Sequence, residues 1–270
     1  MKKSIVVSTQ QTNFSALAFK EDLEINVKKI SEFGFDGVEL AIRDPKYLEK
    51  EKIIQLIKDC HLEVPAIGTG QAWGEEGLSF SDPNEIIRKM AVERIIEQIK
   101  FASYFGSQVI IGLIRGIVKE GVAREDAEAW ATSCLRECAR FAQEENVKLI
   151  LEPVNRYESN FINSLEEGVE FIRRVEVPNL GLLADTFHMN IEEPSIYESL
   201  KQAKEYITHV HFADSNRWAP GYGHLDFPKI VDTLKEIGYQ GYVSAEILPL
   251  PNQTAATEMT IKTLHRLNIC

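Results

Sequence analysis

Four ionisable residues of types that bind metals recur at regular intervals along the second half of the chain. They are Glu152, Asp185, His211 and Glu246. Each interval is close to the roughly 30 residues of one strand–helix unit, so each residue can end a separate strand of a parallel sheet. Three carboxylates that converge with an imidazole repel one another, and a divalent cation is the simplest compensation. The spacing therefore predicts a metal centre.

The donor set also indicates which metal is expected. Three oxygens and one nitrogen, with positions left open for a substrate, suit Mn²⁺. They do not resemble a structural zinc site, which is a closed tetrahedral set of Cys and His ligands. Co²⁺ or Mg²⁺ could take its place. A single glutamate at a strand end is also compatible with an ion pair on the rim, so the prediction depends on the four positions together.

Short apolar runs rich in β-branched residues alternate with longer amphipathic segments along the whole chain. This alternation is typical of repeated β–α units around a parallel sheet. The expected strands are Ser4–Ser8, Gly37–Ala41, Glu63–Ile67, Gln108–Leu113, Val147–Glu152, Leu180–Asp185, Thr208–Phe212 and Tyr242–Ile247. Eight even units predict a single α/β domain, a TIM (β/α)₈ barrel over residues 1–270, with an open doubly wound sheet as the alternative.

The segments between these strands place apolar residues on one face and charged residues on the other, which predicts helices that pack on the barrel. The expected helices are Asp22–Phe33, Glu49–Cys60, Asn84–Phe105, 127–142, Leu165–Val175, Tyr197–Ala203, Phe227–Ile237 and Ala255–Leu267. Gly34, Gly106 and Gly238 follow three of them, where a left-handed residue can end a helix at little cost.

Charge and composition narrow the class of partner. The 270 residues carry a net charge of −11 and contain no dense basic run, which disfavours nucleic acid and anionic membranes. The apolar run after Met1 is too short for a signal sequence, so a cytoplasmic protein with a small-molecule substrate is expected. The four cysteines form no C-x-x-C motif, and we expect buried thiols rather than disulfides. They are Cys60, Cys134, Cys138 and Cys270.

Four segments carry a family resemblance. They are LEPVNRYESNFIN (Leu151–Asn163), LADTFHMNIEE (Leu183–Glu193), HVHFADSNRWAPGYGHLDF (His209–Phe227) and KEIGYQGYVSAEI (Lys235–Ile247). Together they resemble the D-tagatose 3-epimerase and D-psicose (allulose) 3-epimerase family, within the xylose-isomerase-like barrels. The resemblance implies a carbohydrate isomerase with the same four metal ligands and a homo-oligomeric state, either dimer or tetramer.

The resemblance also implies a mechanism, the epimerisation of a ketose at C3 through a cis-enediolate. Glu152 and Glu246 would be the acid and base on opposite faces of the planar intermediate. Glu158, His188 and Arg217 would bind the oxygens of the substrate. Each of these three also has a simpler interpretation: Glu158 as a rim ion-pair partner, His188 as a capping residue, and Arg217 as the partner of Asp214.

Other residues near the strand ends raise the question of a charged substrate. Arg43 and Arg115 stand where free-ketohexose epimerases carry apolar or acidic residues, so they could bind a phosphate or carboxylate. Alternatively, Asp44 and Glu39 could neutralise them.

The glycine-rich segment 68–74 predicts a lid whose Trp73 either covers the sugar or packs in the core. His209 is expected to face away from His211.

Four other functions use related chemistry or the same barrel. An isomerase of the aldose–ketose, inosose or hydroxypyruvate type would share the metal and bases, as would an epimerase of a phosphorylated or acidic sugar. An endonuclease IV-type repair enzyme would need three zinc ions and more histidines, and the acidic charge of the chain opposes DNA binding. A non-catalytic sugar-binding protein would not need Glu152 and Glu246.

Overall fold

Parallel strands surround a central axis in the order in which they occur in the chain. The computed structural model describes residues 1–20 and 22–269, and within these ranges eight strands close into a barrel in which β1 pairs with β8. They are β1 (Lys2–Ser8), β2 (Gly37–Ala41), β3 (Ala66–Gly68), β4 (Gln108–Ile111), β5 (Leu149–Leu151), β6 (Leu180–Asp185), β7 (Ile207–Phe212) and β8 (Tyr242–Ala245). The predicted TIM barrel is confirmed.

Helices surround the strands. In the described part of the chain they are α1 (Leu23–Glu32), α2 (Lys50–Asp59), α3 (Gly70–Glu76), α4 (Glu85–Ser103), α5 (Arg124–Glu144), α6 (Leu165–Val175), α7 (Thr186–Glu192), α8 (Ile196–Gln202), α9 (Phe227–Glu236) and α10 (Gln253–Arg266). Short 3₁₀ turns form at Pro45–Tyr47 and Leu113–Arg115. None of the described helices is both long and apolar enough to cross a bilayer.

Local signals account for where several helices begin and end. The side chains of Asn84 and Ser164 accept hydrogen bonds from the first turns of α4 and α6, as N-cap residues do. Gly34, Gly106 and Gly238 have positive φ angles of 83°, 65° and 77°, so the predicted helix stops are confirmed. Helices α3 and α7 were not predicted from the sequence. The segment predicted to be a lid forms most of α3 instead of an irregular loop.

Three strands are shorter than predicted at their carboxyl ends. β4 stops at Ile111 because Leu113–Arg115 turns into a 3₁₀ helix. β5 ends at Leu151 and β8 at Ala245, so Glu152 and Glu246 each lie one residue beyond the paired strand. These two carboxylates therefore lie on the rim of the barrel.

The cysteines differ in their surroundings. Cys134 and Cys138 are buried between α5 and the barrel, as predicted, and burial raises the pKa of the Cys134 thiol to about 11. Cys60 is only partly buried, and all three thiols are free. Cys270 lies outside the described residues.

The interior of the barrel has two unlike sides. Alternate side chains of each strand point inward, since the side-chain period of a strand is two. On β3 to β6 the inward positions form a separate apolar cluster, which we call the apolar half: Ala66, Ile110, Ile150 and Leu183. On β7, β8, β1 and β2 four inward residues are polar and buried, and we call them the polar half: His209, Ser244, Ser4 and Glu39.

Candidate active site

The four residues predicted to bind metal converge at the carboxyl ends of β5 to β8. Each offers one ligand atom, and these atoms all lie within 4.8 Å of one another. The Nδ1 atom of His211 is 3.7 Å from Glu152 Oε1 and 3.6 Å from Asp185 Oδ2. The four residues, which are evenly spaced along the chain, therefore lie close together in the folded protein.

The same atoms provide a test of whether a cation fits. Glu152 Oε1, Asp185 Oδ2 and His211 Nδ1 are buried and have no hydrogen-bond partner among the described residues. Buried polar atoms are normally paired, and leaving one unpaired costs about 1–3 kcal/mol. Since the three atoms belong to one cluster of oxygen and nitrogen donors, a divalent cation would satisfy all of them at once. The residues fit such an ion.

Electrostatics support the same conclusion. Burial raises the pKa of Glu152 to about 8, and the negative charge of the nearby Glu246 adds to the effect. Burial also raises the pKa of Glu246, although Arg217 and His211 oppose this. The protein groups alone therefore do not fully compensate the two carboxylates, as expected for residues that share a cation.

The two carboxylate oxygens of Asp185 have different roles. Its Oδ1 atom accepts hydrogen bonds from the backbone N–H groups of Phe187 and His188 at 2.7 and 3.1 Å and thereby caps α7. Its Oδ2 atom is left for the metal cluster. The strand-to-helix junction thus fixes the orientation of this carboxylate.

Beneath the four ligands lies a residue that the sequence analysis did not assign to the site. Glu39, on β2, is 1% exposed and accepts hydrogen bonds from both His209 and His211. Burial alone would raise its pKa, but the charge of His211 and the hydrogen bonds from both histidines hold the pKa of Glu39 well below its usual range. It is therefore an ionised carboxylate.

The prediction that His209 faces away from His211 was wrong. Residues two apart on a strand point to the same side, and both imidazoles point into the barrel toward Glu39. The same period of two along β2 and β7 is the signal that could have placed Glu39 and His209 inside the barrel.

Arg217 links two of the predicted site residues. Its Nη1 atom donates to Glu158 Oε1 and its Nη2 atom to Glu246 Oε2, each at 2.9 Å. The suggested pairing with Asp214 does not occur, because Asp214 accepts backbone N–H groups of its own loop instead. Arg217 has a φ angle of 61°, a left-handed conformation that is uncommon for a residue with a side chain.

His188 lies on α7 and is 3% exposed. Its Nδ1 atom faces the side-chain nitrogen of Asn155 at 2.7 Å. Burial lowers the pKa of His188 to about 4, so the ring is neutral. Because Nδ1 accepts the hydrogen bond from Asn155, the proton lies on Nε2, which makes that atom a donor for an oxygen of a ligand.

A cavity that opens to solvent lies above the cluster, with an empty volume of about 530 Å³ when the opening is included. Glu158, His188 and Arg217 line it together with three of the metal-cluster residues. Apolar residues form much of the remaining wall: Val6, Phe14, Leu17, Ala41, Leu113 and Val154. The lining thus combines polar side chains with apolar ones that suit carbon–hydrogen groups.

Arg115 does not reach this cavity. Its side chain is 1% exposed and donates to the backbone carbonyl oxygens of Gly112, Phe161 and Ile162 at 2.8–3.0 Å. The expectation that Arg115 binds an anionic substrate was wrong, because its side chain links two loops through their backbone carbonyl groups. Nor does Glu39 neutralise it, since Glu39 pairs with histidines.

Arg43 and Trp73 also lie outside the lining of the cavity. Arg43 donates to Glu75 at 2.7 Å, whereas Asp44, its expected partner, pairs with Arg94. Trp73 is partly buried and packs against the hydrophobic core, which is the second of the two interpretations that the sequence allowed. Neither side chain is placed to contact a ligand beside the metal cluster.

The model of the xylose isomerase-like TIM barrel family matches residues 27–264. The chain belongs to this family. It is 31% identical over 239 residues to the D-psicose 3-epimerase of Ruminiclostridium cellulolyticum, with 84% of this chain and 79% of that protein covered. It is 32% identical over 236 residues to the L-ribulose 3-epimerase of Mesorhizobium japonicum, covering 86% and 78% of the two chains.

Solved structures agree on the fold. A crystal structure of the D-allulose 3-epimerase from Methylomonas sp. superposes with a TM-score of 0.85 at 22% sequence identity, covering 99% of this chain and 98% of that one. This match supports the barrel alone. Together with the sequence relatives, it confirms the family resemblance that the four segments indicated.

Proposed function

We propose that the protein is a divalent-metal-dependent ketose 3-epimerase, acting on a sugar of the D-tagatose or D-psicose type. Its relatives are named as carbohydrate epimerases, which are isomerases, and the prediction of this enzyme class is confirmed. The observation that carries the proposal is the convergence of Glu152 and Glu246 with Asp185 and His211 at one end of the barrel.

The four converging residues would hold the metal, and Mn²⁺ suits their donors best, with Co²⁺ or Mg²⁺ as alternatives. When bound, a divalent cation polarises the carbonyl and hydroxyl oxygens of a ketose and so makes the adjacent C–H group more acidic. Three unpaired buried atoms support this assignment.

Glu152 and Glu246 follow β5 and β8, with β6 and β7 between them, so their carboxylates approach a ligand from different sides. One removes the proton from C3, which leaves a planar enediolate, and the other delivers a proton to the opposite face. Proton transfer by a positioned group contributes about 10²–10⁴-fold to a rate.

The residues around the pair would hold the sugar in place. His188 Nε2 and the guanidinium of Arg217 are donors for its oxygens, and Glu158 is an acceptor for a hydroxyl. The apolar wall would contact the carbon chain. The partners of Arg43 and Arg115 support an uncharged ketose over a phosphorylated one, because both guanidiniums are already engaged by the protein. A cytoplasmic homo-oligomer stays a prediction from the sequence.

The test removes bound metal with a chelator and then supplies Mn²⁺, Co²⁺, Mg²⁺ or Ca²⁺ separately. Ketohexoses, ketopentoses, inososes and their phosphates are screened by chromatography. We expect interconversion of C3 epimers, such as D-psicose and D-fructose, to be lost on chelation and restored by Mn²⁺ or Co²⁺ better than by Ca²⁺.

The same reaction run in ²H₂O locates the reacting carbon. A 3-epimerase introduces deuterium at C3, whereas an aldose–ketose isomerase introduces it at C1 or C2. Deuterium at C1 or C2 alone would replace the proposal with the isomerase alternative. Full activity in the chelated protein would refute the metal requirement.

A further inference from the structure

The two ring nitrogens of His211 face different partners. Nε2 lies 3.0 and 3.1 Å from the two oxygens of Glu39, deeper in the barrel. Nδ1 faces the opposite way, toward Glu152 and Asp185. The imidazole therefore bridges the buried carboxylate of β2 and the metal cluster on the rim.

The hydrogen bond to Glu39 determines which nitrogen carries the proton. Carboxylate oxygens accept hydrogen bonds, and both oxygens of Glu39 lie within 3.1 Å of Nε2, so the proton of a neutral His211 lies on Nε2. The lone pair is then on Nδ1, which is the atom required at the cluster. A histidine without such a partner could place its proton on either nitrogen, and one of these two tautomers cannot bind a metal through Nδ1.

His209 holds the same carboxylate from a second direction. Its Nε2 atom is 2.8 Å from Glu39 Oε2, and the two imidazole rings meet nearly edge to face at 77°. Two donors restrain the carboxylate more than one would. The arrangement of Glu39, His209 and His211 is completely buried, so water does not compete for these hydrogen bonds.

We infer that Glu39 is a positioning residue that sets the tautomer and ring orientation of His211 for metal binding, with His209 holding Glu39 in place. This inference rests on the proposed metal site. Partners of this kind, which contact a ligand and not the metal, typically change metal affinity by about 10- to 100-fold when they are replaced.

Glu39, His209 and His211 could also be regarded as a second cluster of metal ligands, since their donor atoms meet the same 4.8 Å limit. The separations of 2.8–3.1 Å are those of ordinary hydrogen bonds, which a shared proton explains without a further ion. The number of ions bound per chain separates the two interpretations.

The first experiment measures Mn²⁺ binding to the metal-free protein by isothermal titration calorimetry, in the wild type, Glu39→Gln and Glu75→Gln. Glutamine offers one acceptor oxygen and one NH₂ group where two histidines need acceptors, so Glu39→Gln favours the wrong tautomer of His211. We expect one ion per chain, with affinity lowered by about 10- to 100-fold in Glu39→Gln. Glu75→Gln is the matched control, because Glu75 pairs with Arg43 away from the cluster.

The outcomes are distinct. If the wild type binds no Mn²⁺, the proposed metal site itself is refuted. If the wild type binds one ion and Glu39→Gln binds it equally well, only the role of Glu39 is refuted. Two ions in the wild type, with one lost in Glu39→Gln, would replace the positioning role by a second metal site.

A second measurement needs no variant and therefore stands even if Glu39→Gln fails to fold. The wild type, labelled with ¹⁵N at histidine, is loaded with diamagnetic Zn²⁺ and its imidazole nitrogens are observed by NMR. We expect His211 to keep a proton on Nε2 and to show a metal-bound shift at Nδ1. A His211 protonated on Nδ1, or unprotonated on Nε2, would overturn the inference.

Discussion

The two halves of the barrel interior use the same backbone geometry for different purposes. In the apolar half, the inward positions of β3 to β6 carry aliphatic side chains that pack against one another below the rim. In the polar half, four buried inward residues on β7, β8, β1 and β2 carry imidazole, hydroxyl and carboxylate groups. Both halves are fully buried, so exposure to solvent does not explain the difference.

The comparison shows where a buried residue serves packing and where it serves chemistry. Burying polar groups is unfavourable unless each finds a partner. Stability alone therefore gives no advantage to polar residues at positions where aliphatic residues could pack, as they do in the apolar half. In this barrel the polar half includes Glu39, which is hydrogen-bonded to the predicted ligand His211, and His209, which is hydrogen-bonded to Glu39. The following substitutions test this division of roles.

Glu246→Gln should have the largest effect on activity. Gln keeps the shape and an oxygen donor but cannot accept a proton, so we expect Mn²⁺ binding to persist while kcat falls by at least about 10²-fold. Glu236→Gln, in a surface ion pair with Lys201, is the control. Near-normal epimerisation in both directions would contradict the two-base assignment of Glu152 and Glu246.

Leu183→Ala tests the apolar half. Leu183 is completely buried, and truncation of such a residue costs about 2–5 kcal/mol in the free energy of unfolding. We expect this loss in urea denaturation of the metal-free protein, with kcat of the folded fraction almost unchanged. Leu183→Met, which nearly conserves volume, should cost less than about 1.5 kcal/mol. A large loss of kcat without loss of stability would show that the apolar half also takes part in catalysis.

Arg115→Ala distinguishes a structural arginine from a substrate-binding one. It removes three hydrogen bonds to buried carbonyl groups, and we expect a loss of about 2–3 kcal/mol in unfolding free energy. Arg43→Ala should cost less than about 1 kcal/mol, because its ion pair with Glu75 is partly exposed. A rise in KM for a sugar phosphate, but not for the free sugar, would restore the substrate role of Arg115.

Ser244→Ala should have the smallest effect. The hydroxyl of Ser244 is buried and has no hydrogen-bond partner among the described residues, and the same holds for Ser4 opposite it on β1. Removing an unpaired hydroxyl should leave the unfolding free energy unchanged or raise it by up to about 1 kcal/mol. A loss of more than about 1 kcal/mol would mean that a bound water pairs with this hydroxyl.

Much of the fold was predictable because its signals are local. Short apolar runs marked all eight strands, and glycines such as Gly34 and Gly238 marked helix ends, where they adopt positive φ angles. The convergence of four candidate ligands was predictable because each stands at the end of a separate strand: Glu152, Asp185, His211 and Glu246. In contrast, α3 contains Gly70 and Gly74, which have low helix propensity, so packing of its buried face outweighs the local preference.

Other features left no usable trace in the sequence. Arg115 is held by carbonyl oxygens of Gly112, Phe161 and Ile162, and a backbone acceptor can belong to any residue type. Its role depends on a loop–loop contact that spacing does not reveal. Glu39 is different, since the strand period would have placed it beside the histidines had the parity of His209 been assigned correctly.

The left-handed backbone of Arg217 implies a trade-off between stability and activity at one residue. This conformation costs roughly 1–2 kcal/mol for a residue with a Cβ atom and almost nothing for glycine. Arg217→Gly should therefore unfold at a higher denaturant concentration than Arg217→Ala, although both lose the guanidinium that joins Glu158 to Glu246. The backbone conformation alone would favour glycine at this position, whereas the two ion pairs require the arginine side chain.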